Sequence, residues 1–337
     1  MRNKAYIKWF LFGSQFFILL CALFYFPFLQ KHFPSLRTSA LAGVSPDLIP
    51  YELNVQNWLD EKFQDYYQQK VLDNRELRPF LIPKRNQLFF DLFKKSANAK
   101  MQIGKDNYLF DKNGIKSYVG IDFQGEEFIQ ERFRKLAFIK KHLEAQGTQL
   151  LVFIPPTKSS IFPEKLPTPF DTYTVSRNNR IAILQELDAL GIEQINFFPL
   201  VKNQFPDENL YPKGGLHWSH TASALAADTL RKRIETLLDK KLPAFRIEGF
   251  ERTLELRPPD EDLALTLNLS RGFPKDSMSY PIINFVRDSL DYAPKIAVIG
   301  DSYYRMMYDM GFHKHTFSPH SLYWHYFSTD ISPEFPL

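Results

Sequence analysis

Lys295-Ile296-Ala297-Val298-Ile299-Gly300-Asp301-Ser302-Tyr303 is an apolar run that ends on a turn. Short β-branched runs closed by Gly and Asp read as buried strands of an α/β sheet. A serine on the turn directly after such a strand has its hydroxyl raised at the carboxyl edge of the sheet, where it can act as a nucleophile. Gly300 and Asp301 then hold the turn. The same triplet also suits a plain helix cap, because Asp and Ser both accept from the first backbone N–H groups of a helix.

Upstream of the run, strand and helix signals alternate. A helical period through Ile129, Phe133, Leu136 and Leu143 leads by way of Gly147 to an apolar strand over Gln149–Ile154. Another, through Ile181, Leu184, Leu187 and Leu190, ends at Gly191 and leads to a strand over Ile192–Phe197. A third helix runs from about Ser219 to Leu238. Alternation of this kind predicts a mostly parallel sheet covered by helices on both faces. The stretch from Pro258-Pro259-Asp260-Glu261-Asp262-Leu263 to Arg287 is less regular, and reads either as an insertion near the site or as a surface excursion.

Serine needs a base. His217-Trp218, after Tyr211-Pro212-Lys213-Gly214-Gly215-Leu216, is the candidate. A buried structural histidine beside Trp218 is the bland alternative. His220 follows three residues later, but no cysteine or carboxylate stands at ligand spacing, so neither a metal nor any other cofactor is expected. Lys158, just after a strand, either faces the site to hold an anionic sugar or is an ordinary solvated lysine.

At the other end, Trp9–Gln30 is a stretch of 22 residues without a charge, long enough to cross a bilayer as a helix. Arg2, Lys4 and Lys8 precede it, Lys31 and Arg37 follow it, and the bias favours an inside N-terminus with the body outside. An uncleaved anchor fits better than a signal peptide, because Ala40-Leu41-Ala42 lies too far beyond the apolar core. Of the 42 basic residues, those five belong to this flank; the remaining 37 face 38 acidic residues, so the body has no basic bias and is not read as a nucleic-acid binder. Cys21 is the single cysteine, which excludes a disulfide framework or a cysteine nucleophile in the body. A linker over Phe33–Pro50 precedes a helical stretch that Asn54 caps, with Val55, Trp58, Leu59, Phe63, Tyr66 and Tyr67 on one period, and a second with Leu88, Phe89, Leu92 and Phe93. These stripes read as core or docking faces. The 32 Phe point to an aromatic-rich core, with a sugar-facing surface as the other reading.

Taken in order, the motifs resemble those of the alginate O-acetyltransferase-related group of SGNH-hydrolase-like proteins, in which the histidine block precedes the serine block, a circular permutation of the ordinary SGNH order. Gly104-Lys105-Asp106-Asn107-Tyr108-Leu109-Phe110 is similar to the group's entry block, Ile154-Pro155-Pro156-Thr157-Lys158 to its Pro-Pro-x-Lys strand end, Tyr211 through Ala227 to its histidine block, and Ile299 through Tyr303 to its nucleophile block. The run at 54–93 resembles its membrane-proximal segment. The resemblance implies a three-layer, flavodoxin-like SGNH sheet, permuted and preceded by one transmembrane helix. The divisions are then a cytoplasmic tail (1–8), an anchor (9–30), a linker with membrane-proximal helices (31–100) and an SGNH-hydrolase-like domain (101–337).

It implies further that the chain is an O-acetyltransferase of the inner membrane whose body faces the periplasm. Ser302 is then the nucleophile, His217 the base, and Tyr303, Lys158 and Trp218 the oxyanion or substrate candidates. The expected substrate is a cell-surface polysaccharide and the expected partner a membrane-bound O-acyltransferase. An acetyl esterase and a non-catalytic glycan-binding or assembly subunit remain as alternatives. The group's aspartate two residues before the histidine is Gly215 here. A bare Ser302–His217 dyad, another acid (Asp207, Glu208 and Asp228 being nearest in sequence) and a degenerate site are all open. The chain stops 35 residues after Ser302, where a further helix and strand are expected, so a shortened C-terminus is one reading.

Overall fold

The computed structural model of the chain describes residues 2–34, 41–42, 50–73, 77–173, 175, 177–203 and 210–325. Most of the linker expected at 33–50 lies outside them. The chain divides into two compact units, one formed by Met1–Asn98 and Leu265–Phe273, the other by Ala99–Ala264 and Pro274–Leu337.

In the first unit, α1 (Arg2–His32) contains the uncharged stretch 9–30. Side chains at 19, 20, 22–24, 26 and 27 lie outside the described residues. Among the described residues no helix is long and apolar enough to cross a membrane, so the expected span finds no support here. Helix α2 (Val55–Leu59) starts at Asn54, whose side chain accepts the Asn57 N–H at 2.7 Å. Helices α3 (Lys62–Asp73) and α4 (Leu77–Phe93) follow. The segment 265–273 docks on α4. Buried Asn86 donates to the Leu267 carbonyl at 2.8 Å, and Phe90 meets Phe273 edge-on at 5.9 Å. The aromatic stripes are not core in this unit: Val55, Trp58, Leu59, Leu92 and Phe93 are all exposed.

The second unit is α/β. Strands β1 (Met101–Ile103) and β2 (Leu109–Asp111) pair antiparallel around a turn at Gly104. A side chain at Gly104 would begin 2.1 Å from the Lys165 carbonyl, so only glycine fits. After α5 (Lys112–Val119) comes α6 (Glu126–Ala145), then β3 (Leu151–Ile154), α7 (Lys158–Ile161), α8 (Asn179–Ala189), β4 (Glu193–Asn196) and α9 (Phe197–Asn203). Helix α10 (His220–Leu238) is capped by Ser219 and buries its small-residue face, Ala222, Ala224, Ala226 and Ala227. A hairpin of β5 (Ala244–Thr253) and β6 (Met278–Val286) has α11 (Asp262–Thr266) between its arms. The chain then forms β7 (Ala297–Gly300), α12 (Ser302–Asp309), α13 (Phe312–Thr316) and β8 (Leu322–His325). A helix and a strand thus do follow the serine turn.

The alternation was legible, but the sheet is smaller than expected. Among the described residues the parallel ladders are two four-residue pairs, β3 with β4 and β7 with β8. The two pairs share no ladder and are bridged by α12: the Phe153 ring of β3 lies 5.9 Å from Tyr304, whose ring lies 5.0 Å from Tyr323 of β8. Cover is also one-sided at β7. Tyr304, Met306 and Met307 of α12 bury themselves in the core, whereas Ile299 is 77% exposed on the other face. The irregular stretch after Pro258 ends in β6, a nine-residue strand whose Pro281 and non-local partner hid it in the sequence.

Candidate active site

Three loops of the second unit meet at one point. Ser302 opens α12 directly after β7. Asp301 caps that helix, accepting the Tyr303 N–H at 2.9 Å, and Tyr323 of β8 donates to the Asp301 carbonyl at 2.9 Å. The turn is therefore clamped from within and from the neighbouring strand. His217 lies on the loop before α10, and its Nε2 is 2.7 Å from Ser302 Oγ. Its Nδ1 is 2.9 Å from Asp262 Oδ2. The other carboxylate oxygen of Asp262 accepts the N–H groups of Leu216 at 2.8 Å and Leu263 at 2.7 Å. The carboxylate is thus fixed by backbone, and it assigns the proton of the ring to Nδ1, leaving Nε2 to accept from the serine. All three side chains are partly exposed, so a small ester can reach them.

Asp262 is the residue that sequence reasoning missed. Asp207 and Glu208 lie outside the described residues, and Asp228 is turned into ion pairs with Arg231 and Lys232 along α10. Asp262 stands 45 residues after His217, in the stretch that reads as irregular. Its turn is locked from below: buried Asp260 accepts the Tyr280 hydroxyl at 2.6 Å, and that hydroxyl accepts the Arg257 N–H at 2.8 Å.

The same turn explains Gly215. A Cβ there would lie 2.7 Å from the Asp260 carbonyl oxygen and 2.6 Å from a Pro212 ring carbon. The backbone that delivers Asp262 fills the space a side chain at 215 would need. Gly215→Ala is therefore expected to destabilise the protein by about 1–3 kcal/mol, as overpacking does. Thermal melting checks it; an unchanged Tm would mean the loops part easily.

The other expected site residues are placed differently. Trp218 is fully buried against Phe197 and Tyr303, so it is core and not a substrate contact. Tyr303 lays its ring edge-on against His217 at 5.5 Å, and its hydroxyl meets that of Tyr211. Tyr303 thus supports the imidazole, and its N–H is already taken by Asp301. Lys158 is neither solvated nor aimed at a sugar. It is 3% exposed, and its ammonium donates to the carbonyls of Pro212, Lys213 and Gly215. Its polar partners had no sequence signal, since all are backbone. Among the described residues no cluster of His, Cys, Asp and Glu could hold a metal.

A family model described as the SGNH hydrolase-like domain of the acetyltransferase AlgX matches residues 101–315. The chain belongs to this family. Among solved structures, AlgX of Pseudomonas aeruginosa is 18% identical over 64% of this chain and 53% of that one, with a TM-score of 0.46. The O-acetyltransferase domain of Pseudomonas putida AlgJ is 17% identical over 64% of this chain and 77% of that one, with a TM-score of 0.46. PatB1 of Bacillus cereus, carrying a sulfonyl adduct, is 11% identical over 64% of this chain and 82% of that one, with a TM-score of 0.41. The chain thus spans about half the length of AlgX. No curated protein matches it. In this chain the carboxylate that meets His217 is that of Asp262, and position 215 is glycine.

Proposed function

We propose that the chain is an O-acetyltransferase that moves acetyl groups onto hydroxyls of a cell-surface polysaccharide, an alginate-like polymer by analogy with the family. The observation that carries this is the unbroken hydrogen-bond path from Asp262 through His217 to Ser302 Oγ, at 2.9 and 2.7 Å. In the first step His217 Nε2 takes the serine proton as Oγ attacks the carbonyl carbon of an acetyl donor. The Ser302 N–H, free of an intrahelical partner at the first turn of α12, is the donor this reading assigns to the developing oxyanion. Collapse expels the donor's alkoxide, which takes the proton from His217, and leaves acetyl-Ser302. A sugar hydroxyl then attacks that ester, giving its proton to His217, which returns it to Ser302. Water in place of sugar would give an esterase. Of the three readings that Gly215 leaves open, the Asp262–His217 bond supports the one in which another acid serves.

The helical, uncharged stretch 9–30 is the anchor, 31–100 the membrane-proximal part, and residues from 101 onward the catalytic domain on the periplasmic side of the inner membrane. A membrane-bound O-acyltransferase that carries acetyl across the bilayer fits as partner.

The test is covalent labelling. The full-length chain in mild detergent should take up one equivalent of a serine-directed fluorophosphonate, and Ser302→Ala should take up none. A folded wild type that neither labels nor cleaves 4-nitrophenyl acetate would leave the binding-subunit reading instead.

A further inference from the structure

The loop that carries His217 has its backbone oxygens claimed from three sides. The Leu109 N–H reaches the Lys213 carbonyl at 3.0 Å, and the Ala264 N–H reaches that of Gly214 at 2.9 Å. Lys158 Nζ takes Pro212 at 2.6 Å, Lys213 at 2.8 Å and Gly215 at 2.9 Å. In return, Tyr211 at the loop's start donates its hydroxyl to the Pro156 carbonyl. The Pro155–Lys158 turn and the 211–217 loop are therefore stapled in both directions. An ammonium has three protons, and here each meets one carbonyl, so the staple is complete only while Lys158 is charged.

We propose that Lys158 is a positioning residue for the acyl-transfer site, holding His217 in register with Ser302 through the three carbonyls of its loop. This rests on the Ser302–His217 reading above. Among the described residues no carboxylate forms an ion pair with Lys158, and a buried charge without one is costly. What it does have is fixed geometry two residues from the imidazole, where a displacement of about 1 Å is worth roughly a hundredfold in rate.

Charge adds a readout. Burial pulls the Lys158 ammonium down to about 7 from its usual 10.5, against the opposing pull of Asp262 and Asp111 and with the help of Lys213. The rings of Tyr108 and Phe110 are its other neighbours, at 5.4 and 5.5 Å. Above that pH the neutral amine has two protons for three carbonyls. The folded-state value lies below the unfolded one, so between about 7 and 10.5 the unfolded chain holds a proton that the folded chain has shed. Over that window this group makes stability rise with pH. Positioning therefore weakens while stability does not, which a merely structural role cannot reproduce.

The experiment measures kcat and KM for 4-nitrophenyl acetate from pH 6 to 9 on the full-length chain, with melting at each pH. Lys158→Met should lose about a hundredfold in kcat at unchanged KM, and lose the alkaline fall in kcat that wild type shows. Tyr211→Phe breaks the reciprocal bond without touching the charge, and should lower kcat while keeping that fall. A raised KM with kcat kept would make Lys158 a substrate contact and overturn the proposal, as would an unchanged kcat. If Lys158→Met does not fold, a wild type whose kcat is flat above pH 7 overturns it equally. A wild type inert to fluorophosphonate sinks the enzyme reading itself; an active wild type with an equally active Lys158→Met sinks only this one.

Discussion

Ser302→Ala and His217→Ala are each expected to lower kcat for acetyl-ester cleavage by about 10⁶-fold, with the double variant no worse than either single one. Ser302 and His217 share one proton. Serine at its ordinary basicity does not attack an ester; it becomes nucleophilic only as the imidazole at 2.7 Å removes its proton. Take away either partner and the step vanishes, so removing the second costs nothing more. Folding should survive both changes. Ser302 is the first residue of α12, whose capping bond comes from Asp301, and His217 lies on a loop held by its backbone. The measurement is steady-state kcat on 4-nitrophenyl acetate with melting as control. A double variant markedly slower than the singles would mean the two act separately. Residual activity within tenfold of wild type in Ser302→Ala would place the nucleophile elsewhere.

How much of this could be read from the chain depends on how local each signal is. The strand–turn–helix at 297–309 is local: apolar run, Gly, Asp, Ser. So are the helices at 126–145, 179–189 and 220–238, where one face repeats every turn. His217 was legible as a residue type, though its meeting with Ser302 is a matter of tertiary fold. The acid was not legible. Asp262 follows two prolines and an aspartate in a segment without period, and it is aimed by non-local bonds: the buried Asp260–Tyr280 bond between the turn and β6, and the Leu216 and Ala264 bonds to and from the histidine loop. Lys158 misled in the opposite sense. A lysine after a strand is ordinarily solvated, but here three carbonyls of a non-local loop replace water. Trp218 misled because adjacency to His217 says nothing about direction: the Trp218 ring goes to the core while His217 stays partly exposed.

Asp262→Asn is expected to lower kcat by about 10⁴-fold with little change in KM or in melting. The amide can keep the two bonds that matter for folding, since its oxygen still accepts from the Leu216 and Leu263 N–H groups. Its nitrogen, however, donates where the carboxylate accepted. Facing an N–H donor, His217 Nδ1 must become the acceptor, and the proton moves to Nε2. That nitrogen then presents a hydrogen to Ser302 and can no longer take one. The imidazolium that forms during attack also loses the negative charge 2.9 Å away. Asp228→Asn is the matched control: an aspartate close to His217 in sequence, tied to Arg231 and Lys232, whose loss should leave kcat unchanged. If Asp262→Asn were as active as wild type, Ser302 and His217 would be working as a dyad, and the exchange of an acid at position 215 for one at position 262 would be a feature of packing alone. If it loses activity as expected, the triad in this chain draws its acid from a loop 45 residues beyond the histidine, and Gly215 is the space left for that loop.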